Sequence, residues 1–471
     1  MQSRKDQVQA YFFVVGRLFS ALTHGKPDIL ETPSRRFSTG VTLGGVLGGL
    51  LIGIFAIIGI YSPGTTNAWE KPGSIIIDKE TGARFLFLDG KLRPVLNFSS
   101  AKLATGSGSG STSAAAIVAV SANSLSGVPV GPPIGIPGAP DAIPQPGRLD
   151  RGPWTVCVGT GTTPAVTVLL GEHPGSPLAD SEGLLVSTTD DSKYLLWRGT
   201  RYRLANSTVL AALGLNSTTP LQVPANWLNP IPPGRDLTVP KIDGTGSPGP
   251  VIDGRQSIVG QIYEAKNPAL GTDQVFVVRQ DGLAPLNPTT ESLLLSAPST
   301  KNAYAGGEVA PIPVSPAGMA AVPTAAGAAD LAGYPSPMPH MVNDSLSQGT
   351  QPCARFDVGG NPGTTLLTVP TGEVNASSAP AGKHLAGVTA DQVGIPAGTG
   401  VLARDLPAQG ASGGTEFLVT DFGVKFPLPG NSAAALGYSD DSAADVPNQL
   451  LALLPTGPVL SPTAALAEGS P

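Results

Sequence analysis

Apolar positions follow three different patterns along the chain. In residues 3–24, SRKDQVQAYFFVVGRLFSALTH, Val8, Tyr11, Phe12, Val15, Leu18, Phe19 and Leu22 recur at three- and four-residue steps. That spacing puts them on one face of a helix. Ser3 followed by Asp6 predicts its N-terminal cap, and Gly25 then Pro27 its end. So aromatic a stripe on so short a segment needs a cover, either a membrane surface or a partner protein. The basic residues on it are few, which favours a protein. Val8, Phe12, Val15, Phe19 and Leu22 are the candidate contact set.

The second pattern is the uncharged run Val41–Tyr61, VTLGGVLGGLLIGIFAIIGIY. At about 1.5 Å per residue it matches a hydrocarbon core of about 30 Å. A buried core helix and a cleaved signal peptide are the alternatives. The 40 residues ahead of it, and SPGTTNAWEKPG after it without a cleavage site, favour an uncleaved anchor. Gly44, Gly45, Gly48, Gly49 and Gly53 form overlapping small-xxx-small pairs, a stripe against which another helix can pack.

The third pattern is strand-like and repeats. RFLFLDGKLRPVLNFSSAKLATG from Arg84, KYLLWRGTRYRLANSTVLAALGL from Lys193, VFVVRQDGLAPLNPTTESLLLSA from Val275 and EFLVTDFGVKFPLPGNSAAALGY from Glu416 align on Gly90, Gly199, Gly282 and Gly423. Each reads as strand, glycine turn and strand. Asn97, Asn206, Asn287 and Asn431 follow as N-caps for a short Ala/Leu helix. A second block keeps the register: VSANSLSGVP (120–129), VPANWLNPIP (223–232), VSPAGMAAVP (314–323) and VPNQLLALLP (446–455). A unit this small buries little alone, so the copies must pack on one another or on a shared centre.

Composition supports this reading. Of 471 residues, 60 are Gly and 48 are Pro, which disfavours long soluble helices. Charged residues are 13% and the net charge is −6, so there is no basic footprint for nucleic acid. Arg4, Lys5, Arg17, Lys26, Arg35 and Arg36 precede the apolar run and few basic residues follow closely. The charge bias predicts a cytoplasmic N-terminus and an extracytoplasmic remainder. Both cysteines, Cys157 and Cys353, then lie on the oxidising side. One disulfide is expected; two buried free thiols are the alternative.

Motifs for chemistry are missing from the sequence. Gly-Lys occurs at 25/26, 90/91 and 382/383, never in the phosphate-loop pattern. His24, His173, His340 and His384 have no metal-ligand spacing. GASGG at 410–414, around Ser412, matches a nucleophile elbow, but a strand follows where a helix is needed. The pairs Asp190–Asp191 and Asp440–Asp441 read as solvated turns. No catalytic residue, metal or cofactor is expected.

The layout resembles the EccB family of the type VII (ESX) secretion apparatus. The resemblance is carried by SRKDQVQAYFFVVGRLFSALTHGKPDILETPSRR, the single anchor, IIIDKETGARFLFLDGKLRPVLNFSSAKL, GIPGAP (135–140), ADQVGIPAGTGVLARD (390–405) and LLPTGPVLSPTAAL. It implies an elongated outer region of four repeats around a disulfide-linked centre. It also implies assembly, in several copies, with an EccC-like motor ATPase and EccD-like and EccE-like membrane subunits, the N-terminal segment meeting partners in the cytoplasm. Members are sometimes labelled ATPases, but without a phosphate loop the energy-coupling chemistry falls to the motor. A cell-wall-binding module and a membrane-tethered hydrolase are the competing functions.

The expected class is α+β: an amphipathic helix, a single transmembrane helix and a β-rich extracytoplasmic region of four repeats around a central disulfide-linked β domain. The expected boundaries are 1–40 cytoplasmic, 41–61 membrane, 62–149 repeat 1 with its linker and 150–190 the first central part. There follow 191–240 repeat 2, 241–274 a linker, 275–330 repeat 3, 331–415 the second central part, and 416–471 repeat 4 with a tail from about 462. The Pro-rich stretch 127–147 reads as a stiff spacer.

Overall fold

Two long helices open the chain, α1 (Arg4–His24) and α2 (Pro33–Tyr61). The structure, a computed structural model, describes residues 3–25, 33–61, 67–71, 73–106, 116–161, 163–267, 272–346, 349–359, 363–382, 385–407 and 413–469. The chain divides into two bodies, residues 1–71 with 76–83 and 118–128, and residues 72–75 with 84–117 and 129–471. In the first body, beyond the helices, the Lys79 N–H donates to the Val120 carbonyl at 2.9 Å.

The second body contains the repeats. Its further helices include α3 (Phe98–Gly106), α4 (Ser207–Ala212), α5 (Pro288–Leu295), α6 (Thr371–Ala376) and α7 (Ser432–Leu436). Three copies are complete there, with four strands each: Glu182–Ser187, Lys193–Trp197, Thr200–Leu204 and Leu221–Gln222; Ile262–Asn267, Thr272–Arg279, Gly282–Leu286 and Ile312–Val314; Gly400–Leu406, Glu416–Thr420, Lys425–Leu428 and Ala444–Pro447. Every copy has the spatial order third, second, first, last, and the last strand runs parallel to the first. A short helix links the third strand to the last. The hairpin Arg84–Leu88/Lys91–Pro94 followed by α3 is the same motif in the first copy.

Three sequence-based boundaries move. Each complete copy begins one strand earlier than its turn-based alignment, at Glu182, Ile262 and Gly400. These strands fell in regions read as centre or linker because the loop joining them to the hairpin differs in length between copies. The linker 241–274 also holds a two-stranded hairpin, Pro248–Ile252 with Arg255–Ile258. The spacer and the tail are core elements. Ile134 and Ile136 are buried, Ile134 bridges Val95 and Glu468, and Pro462–Leu466 is a helix with Ala465 buried. Proline keeps such segments extended, so alternate side chains can enter a core although the run looks like a spacer.

Turn and cap chemistry explain the copies locally. Asp89 and Gly90, and Arg198 and Gly199, all have φ between 47° and 74°, the paired left-handed geometry of a tight hairpin. Asn97, Asn206 and Asn287 each accept the backbone N–H three residues on, at 2.9–3.0 Å. Asn431 does not cap: its ψ of 20° is not extended, and no cap hydrogen bond forms.

The shared centre is a seven-stranded sheet built on two hairpins, β1 (Trp154–Val158) with β2 (Val166–Leu170) and β3 (Thr350–Asp357) with β4 (Gly363–Pro370). β5 (Gln392–Gly394) pairs parallel to β2. β1 and β3 lie antiparallel at the middle, joined by the Cys157–Cys353 disulfide with S–S 2.05 Å. One face, with Trp154, Val156, Val158, Val168, Ala354 and Leu366, forms a single core with copies two and four. Both copies dock hairpin tips on this sheet. A Cβ at Gly199 would fall 1.9 Å from the Thr364 carbonyl oxygen, and one at Gly423 would fall 2.9 Å from Val393. Chain order is copy, central hairpin, copy, then the same again, so the second body is a tandem duplication.

Candidate anchoring and assembly surfaces

Four surfaces could carry function: α1, α2, the helix pairs joining the copies, and the disulfide-locked centre. α1 forms as its sequence predicts. The Ser3 hydroxyl accepts the Lys5 N–H at 3.2 Å, the Asp6 carboxylate accepts the Ser3 N–H at 3.2 Å, and Gly25 closes the helix at φ 68°. All five predicted contact residues, Val8, Phe12, Val15, Phe19 and Leu22, are exposed, Phe12 to 68% and Phe19 to 69%. Phe13, Val14 and Leu18 are exposed as well. Phe13 and Val14 lie off the predicted stripe, because the periodicity counted one face only.

α2 is longer than its apolar run. It starts at Pro33, a favoured first-turn residue, and the stretch long and apolar enough to cross a membrane is Phe37–Ile58, four residues ahead of the sequence-based start. No part of that window is buried within the described residues. A Cβ on Gly44, Gly45, Gly48, Gly49 or Gly53 would meet nothing within 4 Å. The glycine stripe is therefore open along its length.

The copies join through their helices, across the duplication. In copies one and four, α3 meets α7: Lys102 Nζ donates to the Leu436 carbonyl at 3.0 Å, and a Cβ on Gly106 would come within 2.8 Å of Ala435. Leu103 packs with Leu436, Tyr438 and Leu460. In copies two and three, Ser292 Oγ donates to the Ala212 carbonyl at 2.5 Å, and Leu293 packs with Val209 and Leu215. Each half of the chain thus supplies one partner to each pair.

Ionisable groups are buried at these joints and inside copy four. Lys425 Nζ donates to the Leu451 carbonyl and lies 5.9 Å from the Phe417 ring centre. Burial pulls the Lys425 ammonium below the usual lysine range, and burial does the same to Lys102. The Tyr438 hydroxyl donates to the Pro144 carbonyl at 2.7 Å, and burial pushes this phenol up. Among the described residues no group of His, Cys, Asp and Glu is arranged to hold a metal ion. Asp190 accepts the Thr188 and Ser192 hydroxyls, which hold its carboxyl below the usual range in a turn. Asp440 and Asp441 start a short 3-10 turn. Ser412, His384 and the His24 side chain lie outside the described residues. His173 Nε2 sits 3.1 Å from the Leu170 carbonyl oxygen.

Sequence reasoning missed the polar staples. Asp141 pairs with the Arg84 guanidinium and accepts the Phe98 N–H at 2.9 Å, joining the 127–147 segment to α3. Trp227 Nε1 donates to the Val156 carbonyl at 3.0 Å, fixing copy two to the centre. Nothing in local periodicity marks partners so distant in sequence.

Residues 1–470 match the model of the family described as type VII secretion system ESX-1, transport TM domain B. The ESX-2 secretion system ATPase EccB2 of Mycobacterium tuberculosis (strain ATCC 25618 / H37Rv) is 29% identical over 98% of this chain and 94% of its own. The ESX-3 secretion system ATPase EccB3 of Mycolicibacterium smegmatis is 30% identical over 97% of this chain and 89% of its own. Among solved structures, a chain of the intact ESX-5 inner membrane complex superposes with TM-score 0.70 and 25% identity, covering 100% of this chain and 96% of that one. The EccB3 dimer from the ESX-3 core complex gives TM-score 0.68 and 26% identity, covering 84% of this chain and 100% of that one.

Proposed function

This chain belongs to the EccB family of type VII secretion proteins, core components of ESX inner membrane complexes, and from that premise we propose that it is a non-catalytic, membrane-anchored scaffold of such a machine. In this reading Phe37–Ile58 spans the bilayer, α1 lies in the cytoplasm, and the duplicated β-rich region stands outside. The carrying observation is the pairing of an exposed apolar span with a large body whose buried ionisable groups cap helices and staple segments. The ATPase in the relatives' names is assigned here to a partner: no phosphate-loop motif exists in the sequence.

The partners of this reading are an EccC-like motor, EccD-like and EccE-like membrane subunits and further copies of the chain. Val8, Phe12, Val15, Phe19 and Leu22 dock one of them in the cytoplasm, and the glycine stripe seats a neighbouring membrane helix. The test is extraction of the tagged chain from its native membrane in mild detergent, followed by mass measurement and identification of the co-purifying subunits. A large assembly containing the motor is expected; a monomer with no companions overturns the scaffold reading.

A further inference from the structure

The two faces of the central sheet are covered very differently. Trp154, Val156, Val158, Val168, Ala354 and Leu366 lie under two whole copies. On the opposite face Cys157, Leu169, Cys353, Leu367 and Val369 form a small buried cluster whose other member is Val374, on α6. The strap 171–175, which runs into the edge strand Ser176–Pro177 of the same sheet, adds the second piece of cover. Gly175 comes so close that a Cβ there would fall 2.4 Å from Leu367 Cδ1 and 3.2 Å from Val369 Cγ2. Both sulfurs are sealed, Cys157 at 0% and Cys353 at 1% exposure.

The seal is weak where it matters. α6 has six residues, and Pro370 ahead of it makes no side-chain cap bond. Helices shorter than about 12–15 residues are marginal without packing. Only Val374 of α6 is buried, while Gly372, Asn375 and Ala376 are exposed. Its ties beyond its own turns are few: the Thr371 N–H donates to the Gly349 carbonyl at 2.7 Å, Ser378 Oγ, which also bonds the Val374 carbonyl at 2.7 Å, donates to Gln392 Oε1 at 2.9 Å, and Glu373 Oε1, held by Ser377 Oγ at 3.1 Å, approaches His173 Nδ1 of the strap at 3.9 Å. Elements with one buried side chain and few tertiary bonds open locally, well below the cost of global unfolding.

We propose that α6 and the strap 171–175 form a removable cover over the Cys157–Cys353 bridge, and that local opening of this cover, with the sheet intact, is the route by which the bridge exchanges with external thiols. The inference does not rest on the secretion role. In the exchange, a thiolate of an external dithiol attacks one sulfur and the other leaves as a cysteine thiolate. The reagent's second thiol then closes its own ring, leaving both cysteines reduced and the reagent oxidised.

The test follows reduction of the detergent-solubilised full-length chain by dithiothreitol, trapping freed thiols with a maleimide-polymer that shifts the band on a gel. Val374→Ala is expected to speed reduction about tenfold, the loss of two buried carbon groups from the lid. Ser378→Ala is expected to speed it by a smaller factor. Leu228→Ala, in the core on the other face, is expected to lower the melting temperature and leave the reduction rate unchanged. Reduction of Val374→Ala at the parent rate, or equal acceleration by Leu228→Ala, overturns the proposal. Should Val374→Ala not fold, an unchanged rate in Ser378→Ala overturns it alone.

Discussion

Cys157 and Cys353 stand directly opposite each other on β1 and β3, at corresponding places in the two central hairpins. The bridge therefore ties the first half of the duplication to the second at the middle of their shared sheet. It closes 196 residues of sequence separation. In the chain-entropy model that constrains the unfolded state by about 5 kcal/mol. Replacing both residues by alanine is expected to lower the denaturation midpoint of the full chain sharply, while strand content in circular dichroism remains, because hydrogen bonds and packing still define the sheet.

The join between copies one and four depends on close approach at a single glycine. Any side chain at Gly106 meets Ala435, and overpacking of this kind costs about 1–3 kcal/mol. Gly106→Val is expected to raise hydrogen exchange in both α3 and α7, residues far apart in sequence. Exchange rising in α3 alone would mean that the two helices are not energetically coupled.

Trp227 anchors copy two to the central sheet through buried area and a hydrogen bond to Val156. Trp227→Ala is expected to cost about 3–5 kcal/mol. Limited proteolysis should then release fragments from residues 182–228 first. Trp227→Phe keeps much of the area, loses the donor and leaves the Val156 carbonyl without this partner, an intermediate loss.

These joints also show how far the sequence could be read. Helix α1, its caps, the apolar span, the hairpin turns and three of the four capping asparagines are local features, and local signals revealed them. The opening strands Glu182–Ser187, Ile262–Asn267 and Gly400–Leu406 were hidden, because their only link to the repeat is pairing across loops of unequal length. Ile134 and Ile136 were hidden by the prolines around them. The lid over the disulfide was invisible: Val374 carries no pattern, and its role exists only after two halves have folded together.

Lys425 gives a pH dependence of definite sign. Burial lowers its folded pKa below the usual lysine range. Between the folded and unfolded values the unfolded chain binds more protons, so stability rises with pH across that window and levels off above the unfolded value. Tyr438 acts oppositely: its raised pKa makes the folded state hold more protons above about pH 10, so its contribution falls there. Chemical denaturation at stepped pH below 10 should show a positive slope that Lys425→Met flattens. An unchanged slope would mean that another buried base dominates.

The topology can be tested with single introduced thiols, since both native cysteines are in the bridge and none is free among the described residues. Ala10 is exposed on α1 and Ser299 is exposed between α5 and the rest of copy three. The proposed topology, with α2 crossing the membrane and the basic residues 4–36 inside, predicts that a bulky maleimide added to intact cells labels Ser299→Cys and leaves Ala10→Cys untouched until the membrane is permeabilised. The reverse pattern would invert the orientation. Labelling of both in intact cells would remove the membrane from between them, and with it the division of labour in which α1 meets a cytoplasmic partner while the duplicated region assembles outside.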